Sequence, residues 1–438
     1  MAKKTKIPLT KAQKAARGRL ALYIILLIVL VFALAIVALM VVNQKLTYAL
    51  IDKAEQFKAV EYGEDRIYPV KDEDGDWCFM TDRTLKVLQI TDVHIGAGFL
   101  SVNNDGWAMN AVATMIAKEK PDLVIVTGDI GFPVPYAAGT LNNMNEAKVF
   151  VTLMNQLKVY WTFTFGNHDT EAYSFYTREN LSAFYEEEAK KSEYFLYQSG
   201  PKSVDGFGNQ VIKVKNSAGV TTQALVTMDS HSYTDGDVFG ILWKYDNLQQ
   251  NQIDWYAQKI KAINDQNAAI DPSAEKVKSL TFIHIPLTEY RTAYKEYVNN
   301  GGKDTEDVDF IEGYGKNGEV EGALAQNPFV KDPEATYGVF CGMGQDEFFE
   351  TASQIGLQGV FCGHDHMNNF SLYYKGVRLT YGMSIDYLAY GGIYKEKAQR
   401  GCTIIEVNPD GSFDCTPSNY YENYKANDYI TEHPEEAK

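Results

Sequence analysis

The sequence predicts an α/β domain held behind an N-terminal membrane-spanning helix, and three observations lead there. From Trp77 onward, apolar β-like runs alternate with amphipathic helical stretches. Several of those runs close on short polar segments rich in His, Asp and Asn. Near the start, Leu20 to Val42 is an unbroken apolar run of 23 residues.

That run is long enough to cross a bilayer as a helix. A secretory h-region is usually shorter and ends at small-residue cleavage chemistry. Here Val42 leads into Asn43-Gln44-Lys45, so the run reads as an uncleaved signal-anchor, residues 20–42. A long cleaved signal peptide is the alternative. The preceding tail, residues 1–19, carries Lys3, Lys4, Lys6, Lys11, Lys14, Arg17 and Arg19 with no acid. The positive-inside rule then puts the N-terminus in the cytoplasm and the rest outside the cell membrane, as a single-pass protein.

The formal net charge is −16, and without those seven positive charges the remainder carries −23. So acidic a domain is a poor nucleic-acid binder. It would also repel phosphorylated substrates unless a local cationic centre reversed the field, as bound metal ions would.

Residues 43–76 read as a linker, with 44–66 an amphipathic helical stalk lifting the domain off the membrane. The main domain spans 77–416. Strands are expected at 85–91, 123–127, 160–165, 211–215, 223–229, 280–285, 359–362, 370–374, 377–381 and 402–407. Helices are expected at 107–118, 144–157, 175–190, 248–264 and 346–354. Residues 300–345 are rich in Gly, Asn and acids, and read as a long insertion loop. The tail, 417–438, is polar and Tyr-rich and reads as weakly ordered. The five cysteines form no CxxC, and Cys402 and Cys415 are placed to pair across a hairpin.

Five of the seven histidines fall in four segments: Asp92-Val-His94, Gly166-Asn167-His168-Asp169, Phe282-Ile-His284-Ile-Pro286 and Gly363-His364-Asp-His366. Thr127-Gly128-Asp129 lies between the first two. Each closes a β-like run, and strand ends are where α/β sheets place ligands. One such segment alone is as readily a turn. Five in order are difficult to read as structural. Gathered N and O donors without cysteine suit divalent Mn, Fe or Zn.

The order D-x-H, G-D, G-N-H-D, H-x-P, G-H-x-H resembles the calcineurin-like metallophosphoesterase superfamily over roughly residues 86–407. The runs His364-Asp-His-Met-Asn-Asn-Phe370, Tyr381-Gly-Met-Ser384 and Phe348-Phe-Glu-Thr-Ala352 are similar to the purple-acid-phosphatase-29-like group within it. The resemblance implies a four-layer α/β/β/α sandwich binding two divalent ions. It implies Asp92, His94 and His366 on the first ion, Asn167, His284 and His364 on the second, and Asp129 bridging them. It places His168 beside the substrate phosphoryl group as a catalytic residue, with Asp169 orienting it. A bridging hydroxide would attack in line, and the site would keep a net charge of about +1, suited to a phosphate.

Purple enzymes place a ferric-iron tyrosine after the Gly-Asp segment, where this chain has Phe132. The resemblance therefore implies a colourless dinuclear hydrolase of phosphomono- or diesters. A cell-envelope or lipid-phosphate hydrolase and a metal-binding sensor without turnover are the competing functions. His231, Tyr387 and Tyr390 are candidate pocket residues whose default role is packing.

Overall fold

The computed structural model describes residues 10–312, 338–344, 346–366, 368–389, 400–424 and 432. Its strands are β1 (Pro69–Lys71), β2 (Trp77–Met80), β3 (Leu85–Ile90), β4 (Leu123–Thr127), β5 (Trp161–Thr164), β6 (Gln210–Lys215) and β7 (Thr221–Thr227). They continue as β8 (Lys278–Phe282), β9 (Val308–Glu312), β10 (Leu357–Cys362), β11 (Ser371–Tyr374), β12 (Val377–Tyr381), β13 (Gly401–Val407) and β14 (Phe413–Asn419). The helices are α1 (Lys11–Ala54), α2 (Val102–Glu119), α3 (Pro135–Ala138), α4 (Asn143–Leu157), α5 (Arg178–Lys191), α6 (Gln250–Ile270), α7 (Thr288–Asn299), α8 (Phe348–Ser353) and α9 (Tyr420–Asn423).

Two sheets form. One runs β1-β2-β6-β7-β8-β10-β12-β11-β9 and the other β14-β13-β3-β4-β5. In the smaller sheet β3, β4 and β5 are parallel, and in the larger one β8, β10 and β12 are parallel. The alternation of side chains along each strand sorts apolar residues into three cores. Leu85 and Val87 face Leu225, Leu280 and Phe361 between the sheets. Leu88 and Ile90 face the other way, with Met109 and Val112 of α2 and Phe150 of α4. Val226, Val360 and Leu379 pack beneath Tyr256 of α6, Tyr290 of α7 and Phe348 of α8. Three cores between four layers make the expected α/β/β/α sandwich.

Four expectations change. The stalk is a docked element. The apolar run continues without a break into residues that bury one stripe, Asn43, Thr47, Leu50 and Ala54. That spacing aligns on one helix face, and Leu50 and Ala54 join the core built on α2 and α4. Inside the expected insertion loop, Val308–Glu312 is an edge strand on β11; residues 313–337 lie outside the described residues. The tail begins in order, because β14 runs to Asn419 and the rings of Tyr420 and Tyr421 are buried. Finally, the β13–β14 register sets Cys402 opposite Ser418 and Cys415 opposite Ile405, and all five cysteines are free.

Candidate metal centre

The polar segments meet because the strands before them end at one edge. β3, β4 and β5 deliver Asp92, His94, Asp129, Asn167 and His168 from the smaller sheet. β8 and β10 deliver His284, His364 and His366 from the larger one. A single parallel bridge, Thr91 to Ser384, ties the sheets together at that point.

The turns there are sharp. Asp92 (φ 51°), His94 (φ 53°), Asp129 (φ 52°) and His364 (φ 79°) all adopt left-handed backbone. Non-glycine residues seldom do so, and such strain concentrates at functional sites. Two glycines admit the close approach. A side chain at Gly166 would collide with Asp129 Oδ1, and one at Gly363 with Thr91 Oγ1 and Asp92 Oδ2.

Ligand atoms of Asp92, His94, Asp129 and His366 all lie within 4.8 Å of one another and are buried. His94 Nε2 is 3.3 Å from Asp129 Oδ2, and His366 Nε2 is 3.4 Å from Asp92 Oδ1. His284 Nε2 is 3.2 Å from the same Asp129 Oδ2 and 3.1 Å from Asn167 Oδ1. The His284 and His364 rings are 5.2 Å apart. His94 and His284 thus share the Asp129 Oδ2 atom. Carboxylates and imidazoles with no thiolate fit divalent first-row ions.

Burial works against charge on Asp129, but His284 and His168 outweigh it and hold the carboxyl well below the usual range. Burial likewise opposes charge on His284, yet Asp129 and Asp92 lift its imidazole to about 9. Buried imidazolium thus balances buried carboxylate where a cation would do so on binding. Asp365, between the two histidines of its segment, is no part of this. It accepts from Tyr381 Oη at 2.6 Å and the Phe340 amide at 3.0 Å, on the opposite side of the chain.

His168 is the exception in exposure, its side chain 25 % accessible while Asp129 and His94 are fully enclosed. Its amide donates to Asp129 Oδ1 at 2.8 Å. Its Nδ1 meets Glu171 Oε1 at 2.6 Å, which turns Nε2 outward. The carboxylate that orients His168 is therefore Glu171 rather than Asp169. Asp169 accepts from the amides of Asp129, Gly131 and Gly166 at 3.1, 3.0 and 2.7 Å, so it shapes the loop that presents Asp129. Four residues span the difference between orienting the ring and holding the loop, and only the His168-to-Glu171 spacing of one turn hints at it.

Two further partners escape a reading of motifs. Asp386 Oδ1 and Oδ2 stand 3.2 and 2.9 Å from the Nδ1 atoms of His94 and His366. Carboxylates behind ligating imidazoles fix the ring and raise its basicity. Asp386 lies two residues beyond Tyr381-Gly-Met-Ser384, after a strand, which is the one signal available. Tyr233 Oη accepts from Asn167 Nδ2 at 2.9 Å, leaving Asn167 Oδ1 to face the centre. Phe132 stacks on His94 with centroids 4.8 Å apart and offers no oxygen where purple enzymes have tyrosine. His231 turns away and bonds Gln252 at 2.9 Å. Tyr387 is buried against Arg400, while Tyr390 lies outside the described residues. A second acidic group, Asp72, Asp74 and Asp76, is already paired with Lys213 Nζ at 2.8, 3.0 and 3.1 Å, and Lys215 and Lys259 complete the balance at Asp72 and Asp76.

The family described as calcineurin-like phosphoesterase matches residues 85–368, so the chain belongs to it and to the hydrolases that act on phosphoester bonds. Curated relatives agree. From Arabidopsis thaliana, "Probable inactive purple acid phosphatase 14" is 26 % identical, with 72 % of this chain and 74 % of that protein covered. "Probable inactive purple acid phosphatase 29" of the same plant is 26 % identical over 75 % of this chain and 79 % of its own. "Phosphatase DCR2" of Saccharomyces cerevisiae is 26 % identical over 66 % of this chain and 45 % of its own length.

Proposed function

We propose that this member of the calcineurin-like phosphoesterase family hydrolyses phosphomono- or diesters at a dinuclear divalent centre, in a domain anchored to the outer face of the cell membrane. The observation that carries it is the buried cluster of Asp92, His94, Asp129 and His366 beside His168, whose side chain is open to solvent. Asp92, His94 and His366 would hold one ion; Asn167, His284 and His364 the other; and Asp129 both. Mn, Fe and Zn suit these donors. When bound, such ions supply activation of water and neutralisation of phosphoryl oxygens for an in-line displacement.

The chain's own residues do the rest. Asp169 fixes the Asp129 loop through three amides. Asp386 stands beside the Nδ1 atoms of His94 and His366 and would favour the tautomer that leaves each Nε2 free for metal. Glu171 accepts the Nδ1 proton of His168, leaving Nε2 to donate to a phosphoryl oxygen or to the leaving oxygen. General acid help of that kind contributes about 10²–10⁴-fold.

The word "inactive" in two relatives' names favours a second reading, a metal-binding sensor without turnover. The His168–Glu171 pair speaks for catalysis, since a sensor has no use for a solvent-facing imidazole held by a carboxylate. The anchoring rests on α1, whose most apolar window has a mean hydropathy of 3.5 and no buried residue. The basic tail before it supports an outward domain.

The deciding experiment is elemental analysis of the purified protein with a phosphoester panel run under the metals found. Turnover that disappears on chelation and returns with metal supports the enzyme. Bound metal with no turnover on monoesters, diesters or lipid-linked phosphates supports the sensor.

A further inference from the structure

The loops that carry the metal-centre residues also run to the foot of the apolar helix. After His94 the chain reaches Phe99 and Leu100. After Asp129 it reaches Pro135 and Tyr136. After His168 it reaches Phe175. These side chains are exposed by 43 % (Phe99), 49 % (Leu100), 84 % (Tyr136) and 52 % (Phe175). Large apolar groups gathered this way on a soluble surface mark an interaction face. Between them and α1 lies a cavity of about 370 Å³. Its walls include Phe99, Pro135 and Phe175 from the domain and Ile36, Leu39 and Met40 from within the apolar run.

The depth of this groove follows from how α1 is fastened. Asn43, the first residue after the run, is buried. It donates to the Gly139 carbonyl at 2.9 Å and accepts from the Phe99 amide at 3.0 Å. Thr47 donates to the Ala97 carbonyl at 3.3 Å. No linker separates the apolar run from the domain. At about 1.5 Å per residue, Ile36 lies about 10 Å back along the run from Asn43. The whole run is about 34 Å long, against a hydrocarbon core of about 30 Å. Domain side chains that line the same cavity as Ile36 and Met40 therefore sit at the depth of the boundary between headgroups and acyl chains. Interfacial apolar faces bury about 5–10 Å there, and aromatic rings favour that level.

We propose that the domain docks on the bilayer through this face, with Phe99, Leu100, Tyr136 and Phe175 inserted among the lipids and phospholipid acyl chains filling the groove. The inference rests on the reading of α1 as a membrane span. Phe99 is the fifth residue after His94, so the metal centre lies within about 18 Å of the docked rim.

Spin labels on the full chain in phosphatidylcholine–phosphatidylglycerol nanodiscs test this. The native cysteines are all buried, so labels go to introduced ones: Phe99→Cys, Tyr136→Cys and Phe175→Cys on the rim. Val31→Cys reports the span, and Ile270→Cys reports the exposed end of α6. Collision with oxygen relative to a water-soluble nickel chelate is expected to be several-fold higher at the rim than at Ile270→Cys. Rim values equal to Ile270→Cys, with Val31→Cys lipid-buried, overturn the docking alone. A water-exposed Val31→Cys overturns both the docking and the span.

Discussion

The two halves of the metal centre are built from different material. Around Asp92, His94 and His366 the support is anionic. Asp386 stands behind both imidazoles, held well below the usual carboxylate range because His366 and His94 outweigh its burial. Around Asn167, His284 and His364 the support is neutral. His284 Nδ1 meets the Thr127 carbonyl at 2.8 Å, Asn167 meets Tyr233, and the Tyr245 ring lies edge-on to His364 at 4.3 Å. The difference teaches that the halves need not hold metal equally. A carboxylate-backed imidazole is the more basic ligand. If the proposed ligand sets hold, the first half would be the tighter seat and the second the more exchangeable one, with Asp129 common to both.

Removing the shared group should erase the contrast altogether. Asp129→Ala is expected to lose both ions and all measurable turnover; elemental analysis and aryl-phosphate hydrolysis check it, and retention of one ion would show that the halves are independent. Next in size is a change that touches neither seat. His168→Ala should lower kcat by about 10²–10⁴-fold with the metal content unchanged. Glu171→Gln should cost less than His168→Ala and likewise leave the metal content unchanged, whereas Asp169→Asn should loosen the loop that presents Asp129 and lower the metal content.

The halves can then be weighed against each other. Asp386→Asn should weaken metal binding at the first seat by about 10–100-fold. Tyr233→Phe should weaken the second by less than about tenfold, because it removes a neutral partner. Metal titrations by calorimetry read both, and equal effects would sink the asymmetry.

The smallest effect concerns pH. Asp105 accepts from the amides of Gly96 and Ala97 at 2.7 and 3.0 Å, behind His94. Burial pushes its carboxyl up to about 7, against the pull of those bonds and of Ser101. A carboxyl raised above its unfolded value favours the folded state fully below about pH 4, and that contribution is lost as pH rises through about 7. Tm should fall by a few degrees across this window, and Asp105→Asn should flatten the fall. An identical slope in the variant would locate the titration elsewhere.

Much of the centre was legible in the sequence, because its rule is local. An apolar run that ends in Asp-Val-His or Gly-Asn-His-Asp announces a strand and the polar group at its end. The polar segments were found that way, while the roles of their residues came with the family resemblance; the structure brings Asp92, His94, Asp129 and His366 together, with His284 beside Asp129 and Asn167. The family motif put Asp169 beside His168 as its orienting group, but the neighbouring residue in the motif is not the one in contact. At the tight turn, one residue faces the solvent and the next faces back into the loop.

The sequence by itself determined which polar segments close which strands, their order along the chain, and the apolar helix in front of them. Those follow from periodicity and residue type, which the chain carries at each position. Only the tertiary structure decided what stands behind the ligands. Asp386 comes from beyond β12 and Tyr233 from the loop after β7, each far along the chain from the residue it supports. It alone decided that the helix docks where a stalk was expected, since Asn43 and Thr47 find their partners in loops that only folding brings to them. Partnership between distant segments is set by the packing of two sheets, and no local pattern records it.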